Sequence, residues 1–328
     1  MFRMVSVFCV VLLSYVGADA QTRNKSTAPV DWSRANDPGT DAIAASAKGP
    51  AVLRAQILLD RAGFSPGEID AAQGPNFRAA LRGFQKTHEL PETGELESDT
   101  WRVLNQDSTP ALTEYIISAD DVAGPFQQIP QDMMQKAKLD SLTYESPLEL
   151  LAEKLHANPR LLSQLNPGKA FDRAGEHIIV PNVESHLDSS RKAASVMVRK
   201  SDMTVSALDE SGQIIAQFPA TAGSEHDPLP IGKWKINGVS RNPVFQYNPK
   251  LFWDANAAQS KAKIAPGANN PVGLVWIDLS KPHYGIHGTP DPSTVGHAQS
   301  HGCIRLTNWD AVRLAGLVSP GTPVHIVE

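Results

Sequence analysis

The chain has 328 residues, of which 41% are hydrophobic and 20% charged, with a formal net charge of −5 at pH 7. This length exceeds what one small core needs and predicts two or three domains. The acidic balance argues against a nucleic-acid partner, whose phosphates call for a concentrated basic face, and no mature segment has the apolar length of a transmembrane span.

Arg3, the apolar run Val5 to Val16 and Ala18-Asp19-Ala20 follow the order of a secretory signal peptide, predicted over 1–20. The mature protein is therefore expected to be exported, to the periplasm or cell envelope. The sequence holds two cysteines, Cys9 and Cys303, and cleavage removes the first. A lone thiol in an oxidising compartment is a liability unless it has a task. On this count alone, a nucleophile and an inert buried thiol stay equally open.

Residues 21–48 are polar and rich in small residues, and predict a flexible linker. Over 49–107 three short helices are expected. Val52, Ala55, Leu58, Leu59 and Ala62 form the first apolar stripe, ending near Gly63. Pro75 opens the second, with Phe77, Ala80, Leu81 and Phe84, and Trp101 and Leu104 lie on a third capped by Ser98 or Asp99. Through Gly63-Phe64, Pro66-Gly67-Glu68-Ile69-Asp70, Phe84-Gln85, Gly94 and Thr100-Trp101 this stretch resembles a three-helix peptidoglycan-binding module. It departs from that pattern at Ala71-Ala72-Gln73.

Residues 112–185 predict a small α+β unit. Ser146-Pro147-Leu148-Glu149 is a capping box, Asn158-Pro159 opens another helix, and Ile178-Ile179-Val180-Pro181 is a strand. Tyr115-Ile116-Ile117, Leu165-Asn166-Pro167 and Ile179-Val180-Pro181 resemble a LysM glycan-binding fold, with an insertion around Val122–Tyr144. The alternative is a structural spacer.

Over 193–328 the pattern switches to short strands rich in branched residues, with one helix capped by Thr307 or Asn308, so a mostly-β sandwich or barrel is expected. The chemistry concentrates in Ser300-His301-Gly302-Cys303-Ile304-Arg305-Leu306. A free thiol has a pKa of about 8.5, so a nearby base or positive field must supply thiolate. His301 and His287 are the candidate bases. His287 ends the strand Tyr284-Gly285-Ile286 and is the better placed, with its second nitrogen held by a carbonyl such as that of Gly288. The amides of His301, Gly302 and Cys303 can converge on an oxyanion if Gly302 turns the chain.

Ile286-His287-Gly288-Thr289 followed by Ser300-His301-Gly302-Cys303-Ile304-Arg305-Leu306 resembles the L,D-transpeptidase catalytic domain of the YkuD family. Thr221-Ala222-Gly223, Leu229-Pro230-Ile231-Gly232, Asn270-Pro271-Val272-Gly273 and Gly321-Thr322-Pro323-Val324 extend the match across the domain. The resemblance implies Cys303 as nucleophile, His287 as general base, Gly288 as the carbonyl orienting it, and Ser300, His301, Gly302 and Arg305 as oxyanion and substrate residues. It implies no cofactor and no metal, peptidoglycan stem peptides and glycan strands as partners, and cross-linking of third-position stem residues or attachment of a protein to the wall. Three rivals stand beside this reading: a zinc site from His287, His297, His301 and Cys303, an L,D-carboxypeptidase using the same pair, and a non-catalytic wall-binding protein. His283 and His297 are read as surface residues. The aromatic segment 242–268 is packed against the sheet, or else is a lid or wall of the substrate cleft.

Overall fold

The computed structural model describes residues 30–39, 48–186, 190–298 and 300–328. The predicted signal peptide, Cys9 and much of the predicted linker lie outside them. Proline at the first helical position opens both α1 (Pro50–Arg61) and α2 (Pro75–Thr87), each after a glycine. With α3 (Ser98–Leu104) they bury Leu59, Phe64, Phe77, Phe84 and Trp101 in one core. The cap of α3 is Glu97, without a side-chain cap bond, so the helix begins at Ser98 and not beyond it. Residues 32–38, read as linker, are docked. Trp32–Asn36 forms a 3-10 turn capped by Asp31, Asn36 exchanges two hydrogen bonds with Leu112, and the Trp101 indole donates to the Pro38 carbonyl. Polarity signalled a loop there, but Asn36 finds backbone partners that a free linker would lack.

The second unit pairs β1 (Leu112–Ile116) antiparallel with β2 (His177–Pro181). Between them run α4 (Ala119–Val122), α5 (Met133–Lys136), α6 (Pro147–Lys154) and α7 (Pro159–Leu165). Ser146 caps α6 by accepting from the Glu149 amide, and Asn158 caps α7. Leu151, Leu155, Leu161 and Leu162 form one buried cluster with Leu53, Ile57 and Ile69 of the helical module. The two units therefore share a core.

The C-terminal domain contains β3 (Ser195–Arg199), β4 (Thr204–Leu208), β5 (Ile214–Pro219), β6 (Thr221–Ala222) and β7 (Gly232–Arg241). Next come a separate hairpin of β8 (Phe245–Tyr247) and β9 (Ala262–Ile264), then β10 (Val275–Leu279), β11 (Gly285–His287), β12 (Ile304–Arg305), α8 (Asn308–Leu317) and β13 (Pro323–Val327). The main sheet runs β5-β4-β3-β13-β7-β10-β11-β12-β6, with β3–β13 and β11–β12 parallel and the remaining pairs antiparallel. Its two edge strands, β5 and β6, are separated only by Ala220, so the sheet curls into a nearly closed mixed barrel. α8 plugs it with Ala311, Leu314 and Leu317 against Val275, Ile277, Ile286 and Ile304.

The β5 edge, exposed in an isolated barrel, is covered by the helical module. Phe64 pairs with Gln217, and the Gln217 amide donates to the Ala79 carbonyl at 2.8 Å. The hairpin β8–β9 is braced from the second unit, where Ile129 and Leu142 of the insertion share a buried cluster with Tyr247 and Ile264. Among the described residues no helix is long and apolar enough to cross a membrane.

Candidate active site

Strand register builds the site. Ile286 pairs with Ile304 and His287 with Arg305 across the parallel strands β11 and β12, and Trp276 pairs with His287 across β10 and β11. Directly paired residues share a face, so Trp276, His287 and Arg305 form one row. Cys303 stands two residues before Arg305, as Gly285 stands two before His287. Cys303 directly precedes β12, and His287 ends β11. Both line one cleft of about 790 Å³.

His287 is buried, and its Nδ1 lies 2.7 Å from the Gly288 carbonyl oxygen. A carbonyl only accepts, so Nδ1 carries the proton and Nε2 keeps its lone pair. Trp276 stacks on the imidazole at 5.4 Å. Gly285 makes room for that indole, because a Cβ there would sit 2.5 Å from a Trp276 ring carbon. Burial, reinforced by the Arg305 charge, pulls the His287 pKa down to about 4 against the pull of the Gly288 bond. The imidazole is therefore neutral near pH 7 and able to take a proton.

Burial pushes the Cys303 thiol up, an effect that the Gly285 amide and the Arg305 guanidinium only partly offset. The sulfur rests 3.7 Å from the His283 carbonyl, to which the thiol donates weakly. His283 is exposed, as read from sequence, and also lines the cleft, where its φ of 67° turns the chain. His297 is exposed, as read.

Ser300 holds the loop. Its hydroxyl accepts from the Gly223 amide at 2.6 Å and donates to the Cys303 carbonyl at 2.6 Å. Gly302 has φ 92°, and a Cβ there would meet the Tyr284 ring at 2.9 Å, so both conformation and space call for glycine. Among the described residues the amides of His301, Gly302 and Cys303 have no hydrogen-bond partner. The His301 side chain faces the aromatic segment instead. Its Nε2 is 2.8 Å from Asp254 Oδ1, and its ring contacts Phe252 at 5.0 Å and Trp253 at 5.6 Å. Segment 242–268 both packs and lines, since Phe245, Tyr247, Phe252 and Asp254 form a wall of the cleft. Among the described residues no group of three or more His, Cys, Asp or Glu side chains is placed to hold a metal ion.

Sequence reasoning did not find Trp276, Gly285, Tyr284 or Asn308. Their roles follow from register and from close approach across the sheet, and no local pattern signals either.

A free thiol and a histidine of fixed tautomer lining one cleft of the barrel make up the group set of a cysteine-dependent acyl-transfer enzyme. Residues 193–326 match the L,D-transpeptidase catalytic domain model named YkuD, and residues 48–104 match a peptidoglycan binding domain. The chain is 32% identical over 181 residues to the Bacillus licheniformis protein named L,D-transpeptidase YkuD, covering 55% of this chain and 92% of that one. It is 30% identical over 190 residues to the Bacillus subtilis protein of that name, covering 56% and 98%. A solved L,D-transpeptidase from Mycobacterium smegmatis overlaps 40% of this chain and 58% of that one, at 19% identity and a TM-score of 0.32. The chain belongs to the YkuD family of L,D-transpeptidases, with a peptidoglycan-binding domain ahead of the catalytic one.

Proposed function

We propose that the protein is an exported L,D-transpeptidase in which Cys303 is the acyl-accepting nucleophile and His287 the general base. The observation that carries this reading is the pairing of a cleft-lining thiol with a buried imidazole whose Nδ1 is committed to Gly288. A raised thiol pKa and a lowered imidazole pKa mean that the resting pair is neutral, so the proton moves as the bond forms.

The donor is a peptidoglycan stem tetrapeptide. Nε2 of His287 takes the Cys303 proton while the sulfur attacks the carbonyl at the L-centre of the third residue. The oxyanion is met by the amides of the 301–303 turn. Collapse breaks the bond to the terminal D-alanine, whose nitrogen leaves with the proton from His287, and an acyl-thioester remains. The side-chain amine of a second stem then attacks the thioester. His287 takes that amine's proton and returns it to sulfur, leaving a link between two third-position residues. The Arg305 charge favours the thiolate as it develops and disfavours a charged imidazole, which keeps the base ready. The helical module, and in this reading also the LysM-like strand pair, hold the site against the wall.

The test is purified protein with a defined tetrapeptide, with and without a second stem as acceptor. Cross-linked dimer is expected with the wild type and none with Cys303→Ala, while binding to isolated peptidoglycan survives in both. Dimer formation by Cys303→Ala would end this reading, and release of D-alanine without any dimer would replace it with hydrolysis.

A further inference from the structure

Gly288 supplies the carbonyl that sets the His287 tautomer, so whatever seats Gly288 also seats the base. Gly288 lies between Gly273 and Asn308. A Cβ on Gly288 would be 2.1 Å from Asn308 Oδ1, and one on Gly273 would be 2.0 Å from that oxygen and 2.7 Å from the Gly288 carbonyl carbon. The Asn308 amide is thus in direct contact with the Gly288 backbone, and its own orientation is fixed by three hydrogen bonds. Its Oδ1 accepts from the Leu274 amide at 3.0 Å, and its Nδ2 donates to the Ala268 carbonyl at 3.1 Å and to Glu153 Oε2 at 2.8 Å. Glu153 belongs to the second unit, on α6, more than a hundred residues earlier in the chain.

Glu153 is itself held. Its other carboxylate oxygen accepts from the Tyr144 hydroxyl at 2.9 Å. One turn earlier on α6, Glu149 accepts from the Asn269 amide nitrogen at 2.7 Å, so two carboxylates four residues apart grip two asparagines of the catalytic domain. Leu142 adds two backbone bonds, donating to the Pro266 carbonyl and accepting from the Asn269 amide, both at 2.8 Å. A spacer or a freely swinging glycan module would not be stitched to this segment.

Resting on the reading of His287 as the base, we propose that Glu153 of the second unit is a positioning residue for acyl transfer, holding Asn308 so that Gly288 presents its carbonyl to His287. The second unit is then part of the catalytic machine. Loss of the carboxylate frees the Asn308 amide to turn, Gly288 loses its stop, and the imidazole samples orientations in which Nε2 no longer faces the sulfur.

The experiment compares Glu153→Ala, Glu153→Gln, Asn308→Ala, the double alanine variant and His287→Asn in the full chain. Rates are normalised to the folded fraction of each variant, measured by near-UV circular dichroism, so that unfolded protein does not count. Glu153→Ala is expected to lose roughly ten- to a hundredfold in kcat with KM nearly unchanged, since small misplacements of a reacting group cost rates of that order. Glu153→Gln, which keeps an acceptor for Asn308 and a group for Tyr144, is expected to recover most of the loss. The double variant is expected to be no slower than Asn308→Ala, because both act through one contact. In histidine ¹⁵N spectra, the Nδ1–H signature of His287 should weaken in Glu153→Ala and return in Glu153→Gln. Glu153→Asp keeps the charge but withdraws it by one methylene, and covers the case in which the alanine variant does not fold. An intermediate loss is expected there, and an unchanged kcat would overturn the proposal. So would a wild-type kcat per folded enzyme in Glu153→Ala, or multiplicative losses in the double variant. If His287→Asn is inactive while Glu153→Ala matches wild type, only the positioning role falls. If His287→Asn keeps its kcat, the base itself was misassigned.

Discussion

Replacing His287 by asparagine should remove a specific share of the protein's acid sensitivity. In the folded protein the imidazole titrates near pH 4 and in the unfolded chain near 6.5. Between those values the unfolded chain binds a proton that the folded protein refuses, so stability is full above about pH 6.5 and falls as pH drops toward 4. The gap of about 2.5 units at 1.36 kcal/mol each amounts to roughly 3 kcal/mol. Three carboxyls titrate against this trend, Glu68 being raised by burial as well as the two that follow. Burial lifts Glu153 and Asp310 to about 7 each, so acidification stabilises the fold through them over the same range. The raw pH profile of the wild type is therefore a sum of opposed effects, and only its difference from His287→Asn isolates the imidazole. Urea denaturation at pH 7.5 and pH 4 measures it. The wild type should lose about 3 kcal/mol more than the variant over that interval. Parallel profiles would show that His287 is not held neutral by burial, and the neutral-pair mechanism would lose its basis.

The raised Cys303 thiol predicts that alkylation by iodoacetamide keeps accelerating above pH 8.5, whereas a plateau at neutral pH would reveal a resting thiolate. Removing the Arg305 charge with Arg305→Met should move that alkylation curve to still higher pH and slow acylation; a shift downward would contradict the sign assigned to the guanidinium. Gly285→Ala places a methyl 2.5 Å from the Trp276 ring, so the indole must leave its stack on His287. A stability loss of about 1–3 kcal/mol is expected, with a fall in kcat, and wild-type values for both would mean the stack is dispensable.

Much of the catalytic domain was legible because its signals are local. Branched runs marked β3, β4, β10 and β13, Thr307 marked the start of α8, and the motifs around His287 and Cys303 marked two residues that line one cleft. The strands β6, β8, β9 and β12 have two or three residues each, too short for alternation to register. His301 shows the limit at the site. Its place beside Cys303 suggested a second base, yet its imidazole is committed to Asp254 and to the aromatic wall, a contact that closes over 47 residues of chain. Glu153 lay further out of reach. Its carboxylate reads as a solvated helix position until the fold delivers Asn308 to it, 155 residues later. The second unit, legible as two strands and two capped helices, gave no sign that it would share one core with the helical module and grip the catalytic domain.

Whether Cys303 carries the acyl group is read from intact-protein mass after brief incubation with a stem tetrapeptide and no acceptor, followed by peptide mapping. A mass gain equal to the tetrapeptide less free D-alanine is expected, the thiol proton leaving on the released amine. That gain should map to Cys303, be absent in Cys303→Ala and disappear when an acceptor amine is added. An acyl group on any other residue, or turnover with no adduct at Cys303 and full activity in Cys303→Ala, would contradict it.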